Sequence, residues 1–320
     1  MRICRYQQDG QEAVGFYFDT FVVSIAEALR LHEDATHQKL EMPTTGNLLD
    51  YLPPAGKQYR ETKQLGDFLA RHKSAIPVAA QTSVEKIQLL LPIPKPNKLF
   101  LLAGNYAKHI EEGGGIAEER RDTFPYVFMK PPTTTLTNPG EPISVPAISP
   151  DAIDWELELA VVIGKEVKGI KEADALTCVA GYTVINDISN RRFRPNPGRK
   201  ERPKDTFFDW LHGKWFDSFC PCGPCITSAD AILDPQQLKL QLKVNDTLRQ
   251  DSSTAQQIFP VAAVIEFISS FVTLEPGDII STGTPAGVGN TTKTYLQPGD
   301  QISASISEIG DLRSTVIAES

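Results

Sequence analysis

Three acids in the segment Asp154-Trp155-Glu156-Leu157-Glu158 stand on alternate positions. A strand sends alternate side chains to one face, so Asp154, Glu156 and Glu158 are expected in a row, with Trp155, Leu157 and Leu159 on the other face. Like charges in a row beside the apolar run Leu159-Ala160-Val161-Val162-Ile163 destabilise a strand unless something neutralises them. A divalent cation with oxygen ligands does so, and Mg²⁺ or Mn²⁺ suits the set, with Ca²⁺ also admissible. The competing reading is a solvent-facing edge strand with scattered acids.

Other segments carry residue types that could join such a centre. Asp187 ends the apolar run Tyr182-Thr183-Val184-Ile185-Asn186. There it either completes a three-carboxylate set with Glu156 and Glu158 or serves as a turn or helix-capping acid. His109 and Glu112 are three residues apart and share a face of one helical turn. A carboxylate that orients an imidazole raises its basicity and prepares it to take a proton from water, although an ordinary surface pair has the same spacing. Gly113-Gly114-Gly115 follows at once and makes a flexible joint suited to a lid. The loop Ser281-Thr282-Gly283-Thr284-Pro285-Ala286-Gly287-Val288-Gly289 offers backbone N–H groups and hydroxyls to a carboxylate or oxyanion. It lacks the Gly-Lys-Ser/Thr ending of a phosphate loop, and the glycines nearby lack the context of a dinucleotide site. Cys220, Cys222 and Cys225 are too few for structural zinc, which takes four ligands usually in two pairs. With Cys4 and Cys178 as distant singles, buried or loop thiols in a reducing compartment are expected.

These groups need elements to position them. Residues 2–6, 13–18 and 21–25 read as short strands with a turn at Asp9-Gly10, and 26–32 and 61–72 have helical patterning. Pro92, Pro94 and Pro96 mark a boundary between a small N-terminal domain over 1–95 and a larger domain over 96–320. Beyond it the texture is β-rich, with strands expected at 127–129, 157–163, 178–186, 238–244, 278–281 and 301–306, and one helix at 255–270. Two similar Pro-Gly-Asp corners, at 276–278 and 298–300, each precede a strand.

Composition narrows the class. The chain has 320 residues, 41% hydrophobic and 22% charged, as in an ordinary globular protein. Its net charge of -8 argues against nucleic acid and anionic membrane surfaces, which call for a basic footprint. No run approaches the roughly 20 apolar residues of a membrane span, and the start resembles no signal peptide, so a cytoplasmic location is expected.

Taken together, the blocks Glu-Leu-Glu-Leu-Ala-Val-Val-Ile-Gly at 156–164, Gly-Tyr-Thr-Val-Ile-Asn-Asp-Ile-Ser at 181–189, Gly-Lys-Trp-Phe-Asp-Ser-Phe at 213–219, Pro-Cys-Gly-Pro at 221–224 and Gly-Asp-Ile-Ile-Ser-Thr-Gly-Thr-Pro at 277–285 resemble the fumarylacetoacetate hydrolase family. The resemblance covers residues 97–318 and implies a mostly β, α+β fold: a mixed β-roll catalytic domain with a small N-terminal α+β domain, usually as a homodimer. It implies Mg²⁺ or Mn²⁺ held by Glu156, Glu158 and Asp187, with Asp154 behind them. His109 and Glu112 match a catalytic pair on a short lid helix, and Lys130 and Lys214 match active-site lysines. Thr284, beside Gly283, matches the threonine that contacts the substrate carboxylate.

The chemistry implied is hydrolysis of a C–C bond in an acylpyruvate-like 2,4-dioxo acid through a metal-stabilised enolate. His109 would activate water, Lys130 would stabilise developing charge, and Lys214 and Thr284 would hold the anionic end. One departure bears on substrate. The family's Asn-Asp-x-Ser-x-Arg is followed by an acid, a large apolar residue and glutamine. Here Arg191 is kept and Arg192-Phe193-Arg194 follows. Arg194, if turned into the pocket, would pair with an extra carboxylate or a polyhydroxy chain; a solvated loop is the plainer expectation. Alternatives on the same scaffold are a dehydratase, isomerase or decarboxylase of a 2-oxo acid, or a catalytically silent metal-bound binding protein.

Overall fold

The computed structural model describes residues 1–319. Strand Leu157–Ile163 is the centre of the architecture, and every one of its residues is buried. A strand covered on both sides needs a continuous apolar run, which is what Leu159 to Ile163 supply. Its odd-numbered side chains, Leu157, Leu159, Val161 and Ile163, join one core with Leu240, Leu242, Ile302, Ala304 and Ile306 of a second sheet. Ala160 and Val162 face the opposite core, with Leu48, Leu65 and Leu69 from the N-terminal segment. Each such leucine, isoleucine or valine contributes about 1.5–3 kcal/mol relative to exposure. Glu158 therefore sits between them as a carboxylate with no exposure at all.

Around that strand runs a 12-stranded mixed sheet. In order across it lie Thr82–Ser83, Phe21–Ser24, Gln11–Tyr17, Arg2–Gln8, Cys220–Ser228, Val179–Asn186, Leu157–Ile163, Ile279–Ser281, Leu99–Ala103 and Tyr126–Met129, with two short strands pairing off this path. The second sheet has five strands, ordered Thr247–Ser253, Lys239–Val244, Gln301–Ile306, Gly310–Ala318 and Ile143–Val145. The two pack face to face around the first core. Arg2–Gln8 pairs antiparallel with Cys220–Ser228, so the large sheet continues through the N-terminal strands without a break.

The four longest helices pack outside the sheets. Ile25–Thr36 begins at Ser24, whose hydroxyl accepts from Glu27 N at 3.0 Å. Tyr59–Arg71 buries Leu65, Phe68 and Leu69 along one stripe. The other two, Asp205–His212 and Val261–Phe271, lie nearer the site. The helix expected over 255–270 is observed as Val261–Phe271. Pro260 explains the later start: it occupies the helix cap and biases Phe259 away from helical backbone. The three neighbouring cysteines lie in a nine-residue strand, Cys220–Ser228, and all are buried free thiols. Two prolines hid that strand in the sequence. They are accommodated because its register with Val179–Asn186 slips between Tyr182 and Val184.

Candidate active site

The antiparallel pairing of Leu157 with Asn186 and of Glu158 with Ile185 brings the ends of two strands together. Asp187 N donates to Glu156 O at 2.8 Å, and Glu156 N donates to Asn186 Oδ1 at 2.9 Å. This stapling places one oxygen from each of Glu156, Glu158 and Asp187 within 4.8 Å of the others, all three residues buried. Asp154 departs from the expected row. The regular strand starts only at Leu157, and Asp154 belongs to a separate two-residue pairing with Ser189. Its carboxylate instead accepts from Gly289 N at 2.6 Å, Asn290 N at 3.0 Å and Arg191 Nε at 2.8 Å.

Cations compensate the acid cluster unevenly. Lys214 Nζ donates to Glu156 at 2.7 Å and Asp187 at 2.6 Å, and Arg191 reaches Glu156 at 2.5 Å. Burial by itself raises the Glu156 pKa, but Lys214, Arg191 and then His109 outweigh it and hold the group far below the usual carboxylate range. Burial also disfavours a charged Lys214, yet Asp187 and Glu156 keep its pKa raised. Glu158 goes the other way: burial, followed by repulsion from Asp187 and Glu156, pushes it well above the normal value. Its Oε2 accepts from Ser281 Oγ at 2.6 Å and Gly283 N at 2.9 Å. Its Oε1 is buried without a hydrogen-bond partner among the described residues. An orphaned oxygen beside two more carboxylates fits a hard divalent cation, which takes oxygen ligands and supplies the missing charge.

Lys130 is fully buried, and its ammonium donates to Asp187 Oδ1 at 2.6 Å, Ile188 O at 3.0 Å and Phe219 O at 2.6 Å. With all three protons committed, it orients Asp187. Thr284 is tied in similarly: its hydroxyl donates to Leu157 O at 3.0 Å and accepts from Gln250 Nε2 at 2.8 Å. Gln250 also takes Leu157 N at 3.0 Å. This buried amide locks the 282–285 loop to the acid strand, and the sequence reading missed it. Its signal was an isolated glutamine in the polar run Asn245-Asp246-Thr247-Leu248-Arg249-Gln250, too weak to find.

His109 and Glu112 lie on helix Ala107–Glu112, with His109 Nδ1 and Glu112 Oε1 2.9 Å apart. The Gly287 N–H anchors the Glu112 carboxylate at 3.0 and 3.2 Å. Gly287 belongs to the loop whose Gly283 N donates to Glu158 and whose Gly289 N donates to Asp154, so helix and acid cluster share one loop. Arg194 is placed elsewhere. It is 45% exposed and pairs with Glu201 in its own loop, which holds it away from the converging carboxylates.

A mixed sheet brings together a buried carboxylate cluster that could hold a divalent cation, two lysines and a His–Glu pair. A family model described as fumarylacetoacetate hydrolase C-terminal matches residues 98–317. The chain belongs to the fumarylacetoacetate hydrolase family. It is 38% identical over 286 residues to a mitochondrial oxaloacetate tautomerase of Xenopus laevis, covering 87% of this chain and 85% of that protein. A human mitochondrial oxaloacetate tautomerase is 34% identical, with 89% of each covered. Among solved structures, a maleylpyruvate hydrolase from Sphingobium sp. SYK-6, in complex with manganese and pyruvate, superposes with a TM-score of 0.69 at 26% identity over all of both chains. A fumarylacetoacetate hydrolase from Exiguobacterium antarcticum gives a TM-score of 0.71 at 27% identity, again over all of both chains. The relatives are thus named as a tautomerase or as hydrolases of 2-oxo acids, and one of the solved structures holds manganese. Among the described residues no helix is long and apolar enough to cross a membrane.

Proposed function

We propose that this protein is a divalent-cation-dependent enzyme that interconverts the keto and enol forms of a four-carbon 2-oxo diacid, oxaloacetate. The observation that carries the reading is the placement of His109: it is paired with Glu112, which Gly287 N ties to the same loop whose Gly283 N reaches Glu158. Relatives named as oxaloacetate tautomerases align over most of both chains, which favours this reaction over others of the family.

Glu156, Glu158 and Asp187 would hold the cation, which when bound supplies Lewis acidity that stabilises an enolate of a 2-oxo acid. His109 takes the proton from the carbon beside the 2-oxo group and returns it to carbon or oxygen. Glu112 occupies Nδ1, so it fixes the ring and leaves Nε2 for the transfer. Lys130 and Lys214 hold Asp187 and Glu156 in place, and Gln250 and Thr284 keep the adjoining loop rigid.

C–C hydrolysis of an acylpyruvate is the second reading, because the same pair can take its proton from water and a similar fold serves a maleylpyruvate hydrolase. Both are tested with Mg²⁺ and Mn²⁺ by following loss of enol absorbance alongside pyruvate release. Faster enol decay from oxaloacetate without pyruvate supports tautomerisation; pyruvate from acylpyruvates supports hydrolysis; no acceleration of either overturns the proposal. The homodimer belongs to the same proposal and is tested by sedimentation velocity. The compartment, for which the relatives' names say mitochondrial, is tested by cell fractionation.

A further inference from the structure

Arg249 is an arginine whose charge no carboxylate answers among the described residues. It is half-buried, joins no ion pair among the described residues, and its Nε is buried without a hydrogen-bond partner. A buried donor left unmet costs free energy and calls for an explanation. Its placement is also specific. Leu242 pairs with Gln250 and Lys243 with Leu248, so Arg249 is the extra residue of a β-bulge, a device that re-aims a side chain. The guanidinium lies over the Trp155 ring, 5.7 Å from its centroid, and Trp155 is the neighbour of Glu156. Trp155 Nε1 donates to Gly287 O at 3.1 Å, and Gly287 N anchors Glu112. A Cβ on Gly287 would fall 2.1 Å from the Arg249 carbonyl oxygen, so the bulge packs directly on that loop. On the other side, Gln250 ties Leu157 to Thr284.

We infer that Arg249 is a specificity residue whose guanidinium receives the second carboxylate of a dicarboxylic 2-oxo acid. This rests on the proposed 2-oxo acid chemistry and deepens it by naming the residue that reads the second carboxylate. A stacked, unpaired guanidinium is matched in charge and geometry by a carboxylate. A monocarboxylic 2-oxo acid leaves it unmet, which is how a built polar site rejects an analogue lacking the group. Arg249 is not a proton carrier; it selects.

The test uses the full chain with saturating Mg²⁺ and the variants Arg249→Gln and Arg249→Lys. Tautomerisation is measured with dicarboxylic oxaloacetate and monocarboxylic phenylpyruvate. Binding of 2-oxoglutarate and 2-oxobutanoate is measured by calorimetry. Arg249→Gln is expected to lower kcat/KM for oxaloacetate by roughly tenfold to a hundredfold, mainly through KM, and to weaken 2-oxoglutarate alike, as for loss of a charge-assisted hydrogen bond. Phenylpyruvate and 2-oxobutanoate are expected to change less than about twofold, and Arg249→Lys to recover part of the preference by keeping the charge. Equal losses for both acid types, or no loss for either, overturn the assignment, the first showing that Arg249 only braces Trp155. Should the unmodified enzyme turn over neither acid, the proposed function fails by itself, and the calorimetric comparison still decides Arg249.

Discussion

At the level of single residues, Glu158 is where burial and charge conflict most. Its neighbours repel its charge and its Oε1 has no partner among the described residues, so replacing it with glutamine relieves repulsion while deleting a proposed ligand. Glu158→Gln is expected to melt at the same temperature or higher without metal, and to lose the rise that Mn²⁺ causes, by differential scanning fluorimetry. Lys130 has the opposite character. Removing a fully buried ammonium strands its partner, so Lys130→Met is expected to destabilise the metal-free protein by roughly 3 kcal/mol in urea unfolding. For His109→Ala, loss of a positioned proton carrier predicts a fall in kcat of about 100-fold or more, with Mn²⁺ affinity unchanged by calorimetry.

Residue types announced some of this. Glu156 and Glu158 stood out by their alternate spacing, but Asp154 leaves that row, and Asp187 was legible only as one of two readings at the end of an apolar run. The roles of Lys130 and Thr284 were less so, since sequence cannot count how many of a side chain's hydrogen bonds are already used. Arg194 was ambiguous for a similar reason: its partner Glu201 lies in the same loop and no periodicity announces the pairing.

Among the elements, helix Ala107–Glu112 carries the His–Glu pair on which the proposed proton transfer depends. It is a short helix, and Glu112 is its tie to the body of the protein through Gly287 N. Burial raises the Glu112 pKa, but hydrogen bonds from His109 and Gly287 N outweigh that and leave it depressed. A carboxyl with a depressed folded-state pKa gives stability that is present above its unfolded pKa and lost as pH falls through the folded value. Cleavage by protease within Gly113–Gly115 is therefore expected to accelerate in acid, below the ordinary glutamate range, and to lose that acid limb in Glu112→Gln. A pH-independent cleavage rate in the unmodified protein contradicts the tie. Gly287 itself has φ +102°, where only glycine is unstrained, and no space for a Cβ. Gly287→Ala is expected to cut kcat by about tenfold or more through displacement of Glu112.

Element positions along Leu157–Ile163 and Gln301–Ile306 were readable from apolar periodicity. Strand Cys220–Ser228 was not, because Pro221 and Pro224 argue against a central strand unless the slipped register is known.

Over the whole molecule, two sheets and two cores converge on one strand, and the acid cluster lies where strand ends from the large sheet meet the 281–289 loop. The second core joins Ile3, Leu65 and Leu69 to Leu99, Ala160 and Ile185, so residues on either side of the proline-rich segment share their packing. Pairing between distant segments such as Arg2–Gln8 and Cys220–Ser228 leaves no local trace in a sequence. A cation bound at the centre of this arrangement stabilises the folded state by mass action. At 100 times its dissociation constant that is about 2.7 kcal/mol, or a rise in Tm of about 5 °C.

The most direct measurement is an anomalous difference map from crystals soaked in Mn²⁺. One strong peak within coordination distance of Glu156, Glu158 and Asp187 carboxylate oxygens is expected. A peak elsewhere, or none among those three acids, contradicts the central claim.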